Sequence, residues 1–313
     1  MSLAFVFPGQ GAQTIGMGRD LADAYPAAQA VFDEVDEALG EKLSALIWEG
    51  DAETLTLTQN AQPALMATSM AAVRALEAEG VSVTAASFVA GHSLGEYSAL
   101  CAAGALDLAD TARLLRLRGE AMQSAVPVGE GAMAAVLGLD IEAVEALAAD
   151  AAEGEVCEVA NENDPAQTVV SGSKSAIDRV VAMAKERGAK RALPLPVSAP
   201  FHCALMQPAA EAMAEALKDV AINAPSVPVV ANVVAEAVSS PDDIRRLLVE
   251  QVAGRVRWRS SVEWMAGQGV DAFWEVGAGK ALSGMIRRIA KDAETRAVGT
   301  ARDVAEAAAA LQG

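Results

Sequence analysis

The spacing of apolar residues changes along this chain, and each change marks an element. Leu3–Phe7 is a near-continuous apolar run of strand formers that Pro8-Gly9-Gln10-Gly11 breaks, so it predicts a buried strand feeding a glycine turn. Helical periodicity predicts a helix over Ala64–Ala78; Phe88-Val89-Ala90 predicts a short strand and Glu96–Ala103 the helix after its turn. Ala272–Val276 predicts another strand, closed by Gly277-Ala278-Gly279, with a helix starting close to Lys280. Strands alternating with helices predict an α/β fold with a mostly parallel, wound sheet.

Between Val128 and Ser198 the rhythm differs. A strand (Ala132–Leu137), a helix (Ile141–Ala152), two strands (Val156–Ala160 and Thr168–Val170), a helix (Ala176–Arg187) and a last strand (Arg191–Leu195) follow one another. The order is β-α-β-β-α-β, that of the ferredoxin-like unit, with loops at Glu162–Pro165 and Gly188–Lys190. Pro127 and the cluster Pro194, Pro196 and Pro200 bracket it. The expected organisation is a large body of residues 1–127 and 199–313 carrying an inserted subdomain of residues 128–198.

Composition narrows the class. At 313 residues, 52% hydrophobic but only 4% aromatic, with long Ala-rich periodic stretches, the chain suits helices covering a buried sheet rather than an all-β fold. A net charge of -18 excludes nucleic acid as the main partner, because phosphate binding depends on clustered Lys and Arg. The first residues lack the basic start of a signal peptide, and no run reaches the ~18 apolar residues of a membrane span. Cys101, Cys157 and Cys203 are too far apart for a zinc site or a disulfide framework, so no metal is expected and a reducing cytoplasm is the simplest setting.

Candidate chemistry centres on Gly91-His92-Ser93-Leu94-Gly95, a G-x-S-x-G elbow between a predicted strand and a predicted helix. A serine hydroxyl needs a base, and imidazole is best tuned for that near neutral pH. The chain has two histidines. His92 adjoins Ser93 on the tight turn and points another way, so it packs or hydrogen-bonds beneath the elbow. His202, in the proline-broken loop Ala199-Pro200-Phe201-His202-Cys203, is the expected base. An elbow also needs an oxyanion hole, expected from the backbone N–H of Leu94 and from the glycine turn at Gln10. Gly9–Thr14 fails the dinucleotide fingerprint and the surroundings of Gly279-Lys280 fail the P-loop, so neither nucleotide class is supported.

Two polar residues fall on apolar helical stripes. Arg113, Arg116, Glu120 and Gln123 share the polar face of Leu108–Ser124, but Arg118 lies with Leu114, Leu115, Ala121 and Met122. A guanidinium aimed inward needs a partner, either a substrate carboxylate or an internal Asp or Glu. Gln251 falls in line with Ile244, Leu247 and Leu248. No Asp stands out as a third triad member, which leaves a backbone carbonyl or the Gln251 amide to orient His202.

Taken in order, Phe7-Pro8-Gly9-Gln10-Gly11, Gly91–Tyr97, Arg118-Gly119, Phe201-His202, Gln251 and Glu275-Val276-Gly277 resemble the signatures of the malonyl-CoA:acyl-carrier-protein transacylases and related polyketide synthase acyltransferase domains. The resemblance runs nearly end to end. It implies a hydrolase-like α/β body with helices on both faces, a ferredoxin-like insert and a ping-pong reaction needing no cofactor. Ser93 would attack malonyl-CoA with His202 as base, and the phosphopantetheine thiol of acyl carrier protein would take the malonyl group. It further implies Gln10 and Leu94 as oxyanion donors, Arg118 as clamp on the malonyl carboxylate, Gln251 as support for His202, and Asn163, in the loop before Pro165, on the pantetheine path. Phe201 differs from the small residue of many bacterial members and is similar to malonyl-selective synthase domains.

The competing expectations are a serine esterase or thioesterase, an acyltransferase of broader donor range, and a noncatalytic module that binds carrier protein. Carrier proteins of this pathway are acidic, so an acidic chain needs a local basic patch. Lys185, Arg187, Lys190 and Arg191, or Arg255, Arg257 and Arg259, are the candidates. The expected form is a free-standing monomer.

Overall fold

A computed structural model describes residues 2–312, apart from the side chain of Gln312. In chain order the strands are β1 (Leu3–Phe7), β2 (Phe88–Gly91), β3 (Gly131–Leu137), β4 (Cys157–Asp164), β5 (Gln167–Ser173), β6 (Arg191–Pro194), β7 (Val229–Val230), β8 (Ala237–Val238), β9 (Ala272–Val276) and β10 (Glu294–Val298). They form a six-stranded sheet in the order β10-β9-β1-β2-β7-β8 and a four-stranded sheet in the order β4-β5-β3-β6. In the larger sheet β10, β9, β1, β2 and β7 run parallel and β8 closes one edge antiparallel.

Strand alternation explains why helices cover both faces of that sheet. Leu3, Phe5 and Phe7 point to one side and join the core of helices Pro26–Leu39, Thr58–Ala78 and Leu108–Ser124. Ala4 and Val6 point to the other side and meet Trp258, Val262 and Met265 of helix Trp258–Gly267 and Leu282 and Ile286 of helix Ala281–Ile289. Helix Thr58–Ala78 is buried nearly all round, as expected of a helix lying inside a core. It starts six residues before the expected Ala64, with Pro63 inside it. Proline removes one hydrogen-bond donor, and its ring crowds the carbonyl of the fourth residue back, Gln59, in the helix's first turn. That same turn is approached by Gly119, where a Cβ would come within 2.4 Å of Gln59 Cα, so helix Leu108–Ser124 lies unusually close.

The smaller sheet is antiparallel throughout and is built within residues 131–194. Helices Ile141–Ala152 and Lys174–Met183 cover one face around a separate apolar core of Val136, Val144, Leu147, Val170, Ile177 and Val180. This is the ferredoxin-like arrangement. One expectation fails. Of the loop expected at Glu162–Pro165, the residues Glu162-Asn163-Asp164 continue from Asn161 as the end of β4, which two irregularities in its pairing with β5 allow to run on. Its polar side chains are buried because they meet partners on the body: Glu162 pairs with Arg255 at 2.9 Å and Asp164 with Arg288 at 2.8 Å. The backbone joins the units as well, with Val256 N–H donating to Ala160 C=O at 2.8 Å and Glu162 N–H to Val256 C=O at 2.9 Å.

Candidate active site

Strand β2 ends in the elbow. Neither Gly91 nor Gly95 has positive φ; both are glycine because the backbone passes too close for a side chain. A Cβ on Gly95 would lie 2.3 Å from Phe7 O, and one on Gly91 would lie 1.9 Å from Gly95 C. The strain falls on the candidate nucleophile itself, with Ser93 at φ 53°. His202 also has positive φ, at 57°. Non-glycine residues held in this region cost energy and concentrate where function over-determines the backbone.

Ser93 Oγ and His202 Nε2 are 2.7 Å apart. His202 Nδ1 faces two backbone carbonyls, Gln251 O at 2.9 Å and Gly254 O at 3.2 Å. A carbonyl can only accept, so Nδ1 carries the proton and Nε2 is left to accept from the serine hydroxyl. No carboxylate is needed to set this tautomer. Burial first, and then the charge of Arg118, hold His202 down at about 3, so the ring is neutral and able to act as a base at neutral pH.

Arg118 is 1% exposed and points at the Ser93 hydroxyl. Its Nη1 donates to Gln62 Oε1 at 2.7 Å, and its Nη2 donates to Gln251 Oε1 at 2.9 Å and to Ser93 Oγ at 3.2 Å. The guanidinium carbon lies 5.7 Å from the Tyr97 ring centroid. Its hydrogen-bond acceptors are thus neutral: two amides and a hydroxyl. Burial lowers its pKa, and Tyr97 and Glu96 pull it back. Of the two partners the sequence left open, an internal carboxylate is not in contact with it among the described residues.

Of the two groups the sequence left open to orient His202, a backbone carbonyl or the Gln251 amide, the structure uses the first, and the carbonyl is that of Gln251 itself. The amide Nε2 donates instead to Ser93 O at 3.0 Å and to Glu96 Oε2 at 2.9 Å. A residue that sequence reasoning missed completes the grip: Asn232 Oδ1 accepts from Ser93 N–H at 2.8 Å and its Nδ2 donates to Gly91 O at 2.7 Å. Nothing local singles out Asn232, which follows the two-residue strand β7. Gln62, in the first turns of the central helix, was missed for the same reason.

Gln10 and Leu94 both line the cavity beside Ser93, a space of about 310 Å³. Close approach brings the first turn here: a Cβ on Gly9 would lie 2.7 Å from His92 O. Among the described residues, neither the Gln10 nor the Leu94 backbone N–H donates to a protein acceptor. Asn163 stands apart. Its Oδ1 is 2.9 Å from His92 Nε2, and the neighbour that lines the cavity is Asn161. His92 packs under the elbow against Trp258, with ring centroids 5.9 Å apart, and burial lowers its pKa. Among the described residues no cluster of His, Cys, Asp or Glu could hold a metal ion.

The fold and this site define an acyl transferase built on a serine-histidine dyad. The chain belongs to the acyl transferase domain family, whose model matches residues 4–310. A malonyl CoA-acyl carrier protein transacylase of Bacillus subtilis is 49% identical, over 95% of this chain and 93% of its own length. One from Escherichia coli is 50% identical, over 91% and 92% respectively. Among solved structures, the acyl-carrier-protein-S-malonyltransferase of Bartonella henselae superposes with a TM-score of 0.98 at 55% identity, covering 100% of both chains. A malonyl-transacylase in complex with a type II PKS acyl-carrier protein gives 0.96 at 42% identity, covering 99% of this chain and 100% of its own.

Proposed function

We propose that this chain moves the malonyl group from malonyl-CoA to the phosphopantetheine thiol of an acyl carrier protein through a Ser93 acyl-enzyme. The observation that carries this reading is Arg118: a buried guanidinium, uncompensated by direct contact with an acid, 3.2 Å from the nucleophilic oxygen. The two carboxyl carbons of malonate are about 2.5 Å apart by ordinary bond geometry. A donor whose thioester carbon meets Ser93 therefore has its free carboxylate within reach of Arg118.

His202 Nε2 takes the Ser93 proton as Oγ attacks the thioester carbon. The oxyanion collects on the N–H groups of Gln10 and Leu94, and the imidazolium returns the proton to the departing CoA sulfur. In the second half-reaction the carrier thiol gives its proton to His202, its sulfur attacks the acyl-enzyme, and Ser93 Oγ recovers the proton. These groups come from one chain and are ordinary side chains and backbone, so the reaction is read as needing neither cofactor nor second subunit. Asn161, in the cavity wall, is better placed than Asn163 to meet the pantetheine arm; Asn163 instead steadies His92.

Of the two candidate docking patches, one is already engaged. Arg255 pairs with Glu145 and Glu162, Arg257 with Glu162, and Arg259 with Glu263. Arg187 pairs with Asp150. Lys185, Lys190 and Arg191 are exposed, and among the described residues none makes an ion pair. The chain runs directly from Arg191 through β6 into Leu195, Pro196 and Val197 at the cavity wall, which makes this edge the favoured carrier site. No described helix is long and apolar enough to cross a membrane. A cytoplasmic setting is part of this proposal, since both proposed substrates are carriers of soluble intermediates.

Incubation with malonyl-CoA should give a mass-shifted Ser93 peptide that loses its acyl group to holo carrier protein. Loss to water at the same rate without carrier would instead indicate a thioesterase, and no adduct would rule out the acyl-enzyme.

A further inference from the structure

Glu96 stands three residues beyond the nucleophile, in the first turn of helix Gly95–Ala102, and is 3% exposed. Its Oε2 accepts from Asn232 N–H and from Gln251 Nε2, each at 2.9 Å. It thereby holds the two residues whose amides grip the elbow. With Nε2 drawn to Glu96, the other end of the Gln251 amide must face Arg118, which it meets at 2.9 Å. A cation, an amide and an anion stand in line.

A buried guanidinium needs compensation. A carboxylate in direct contact would provide it but would occupy the edge that an acyl donor has to use. Compensation one amide away keeps that edge open. We propose that Glu96 is a positioning residue and the built-in counter-charge of Arg118, taking up a proton when a carboxylate-bearing acyl donor neutralises the guanidinium. The inference rests on the donor reading above.

Burial raises Glu96 to about 7, against the pull of the Asn232 and Gln251 hydrogen bonds and of Arg118. Cancelling the Arg118 charge removes one of those pulls, so the carboxyl moves further up and binds a proton at neutral pH. The other ionisable groups facing it do not titrate there. Tyr97, on the same helix, is pushed up to about 12; His202, beyond Gln251, is held at about 3 chiefly by burial, which remains when the lesser effect of the Arg118 charge is cancelled.

Calorimetric titration of the Ser93→Ala protein with malonyl-CoA at pH 7, in buffers of different ionisation heat, reads binding without chemistry. About half a proton should be taken up per donor bound. Acetyl-CoA, which has the same phosphates and no free carboxylate, should give none, and malonyl-CoA with Ser93→Ala/Glu96→Gln should bind without uptake. Malonyl-selective binding with no proton uptake, or with uptake that survives Glu96→Gln, overturns the role of Glu96 and leaves the donor reading standing. Equal binding of both thioesters overturns the donor reading and this inference with it. Should the double variant not fold, a pH series on Ser93→Ala decides: uptake peaking between about 6 and 8 supports the proposal, and its absence there overturns it.

Discussion

His202 is oriented by the main chain of Gln251, while the side chain of the same residue faces Arg118. One residue thus serves both halves of the site through different atoms, and a substitution can separate them. Gln251→Ala keeps the carbonyl that fixes the imidazole but removes an acceptor from a buried guanidinium, a loss of about 1–3 kcal/mol. Malonyl kcat/KM should fall roughly 10- to 100-fold. Labelling of Ser93 by an organophosphonate should stay within a few-fold of wild type and collapse only in His202→Ala. Equal damage to both readouts would mean that the amide's grip on Ser93 O and Glu96, rather than its contact with Arg118, is what the site depends on.

Arg118→Ala removes the charge a malonyl carboxylate would meet. A bidentate charge-assisted contact gives about 3–4 kcal/mol, so malonyl kcat/KM should drop roughly 10²- to 10³-fold. Acetyl-CoA, with no carboxylate to place, should lose far less. Steady-state kinetics with the two donors measure the difference directly, and unchanged malonyl kinetics would remove the clamp.

The buried imidazole also sets a pH dependence of stability. His202 is held at about 3 when folded and returns to about 6.5 when unfolded, so between these values the unfolded chain binds more protons. Its contribution is present above about 6.5 and is lost as pH falls towards 3. At pH 5 the loss is about 2 kcal/mol relative to pH 7. Glu96 works in the opposite sense: raised to about 7, it contributes below its unfolded value and loses that contribution as pH rises through 7. Urea denaturation at pH 7 and pH 5 should therefore show wild type losing about 2 kcal/mol more than His202→Gln. Parallel losses in both proteins would place the proton elsewhere.

Gly119 tests how Arg118 is seated. A methyl group there would press on Gln59 Cα at 2.4 Å, next to the residue that carries the guanidinium. Overpacking of this kind costs about 1–3 kcal/mol. Gly119→Ala should lower the melting temperature and raise the malonyl-CoA KM together, because the helix that moves away takes Arg118 with it. A variant stable and tight as wild type would show that the helices have room to spare.

The parts of this molecule legible in its sequence are those with a local signature. The elbow is a pentapeptide, β1 and β9 are apolar runs bounded by glycine, and Arg118 is a charge out of phase on a helix, so periodicity alone flags it. The parts that were not legible depend on distant surfaces. Asn161–Asp164 carries the composition of a turn, and only the arginines of the body, far along the chain, make it a buried strand end. Asn232 and Gln62 are lone amides whose roles arise from where β7 and the central helix arrive. Glu96 follows the elbow by one residue, yet nothing local says that its carboxylate is buried against Gln251.

The two basic clusters, indistinguishable as charge runs, differ in their neighbours, and this separates their expected effects. Arg255, Arg257 and Arg259 stitch the insert to the body and to their own helix. Reversing Arg255 leaves Glu162 buried without its nearest cation, so Arg255→Glu should cost stability and affect both substrates. Among the described residues Lys190 and Arg191 hold no acid in place, and reversing them disturbs no fold contact of that kind. Lys190→Glu/Arg191→Glu should keep the melting temperature and the malonyl-CoA KM while raising the carrier-protein KM several-fold, and added salt should narrow the gap because exposed charges are screened within about 10 Å at 0.1 M. Carrier KM unchanged at low salt would move docking off this edge of the insert.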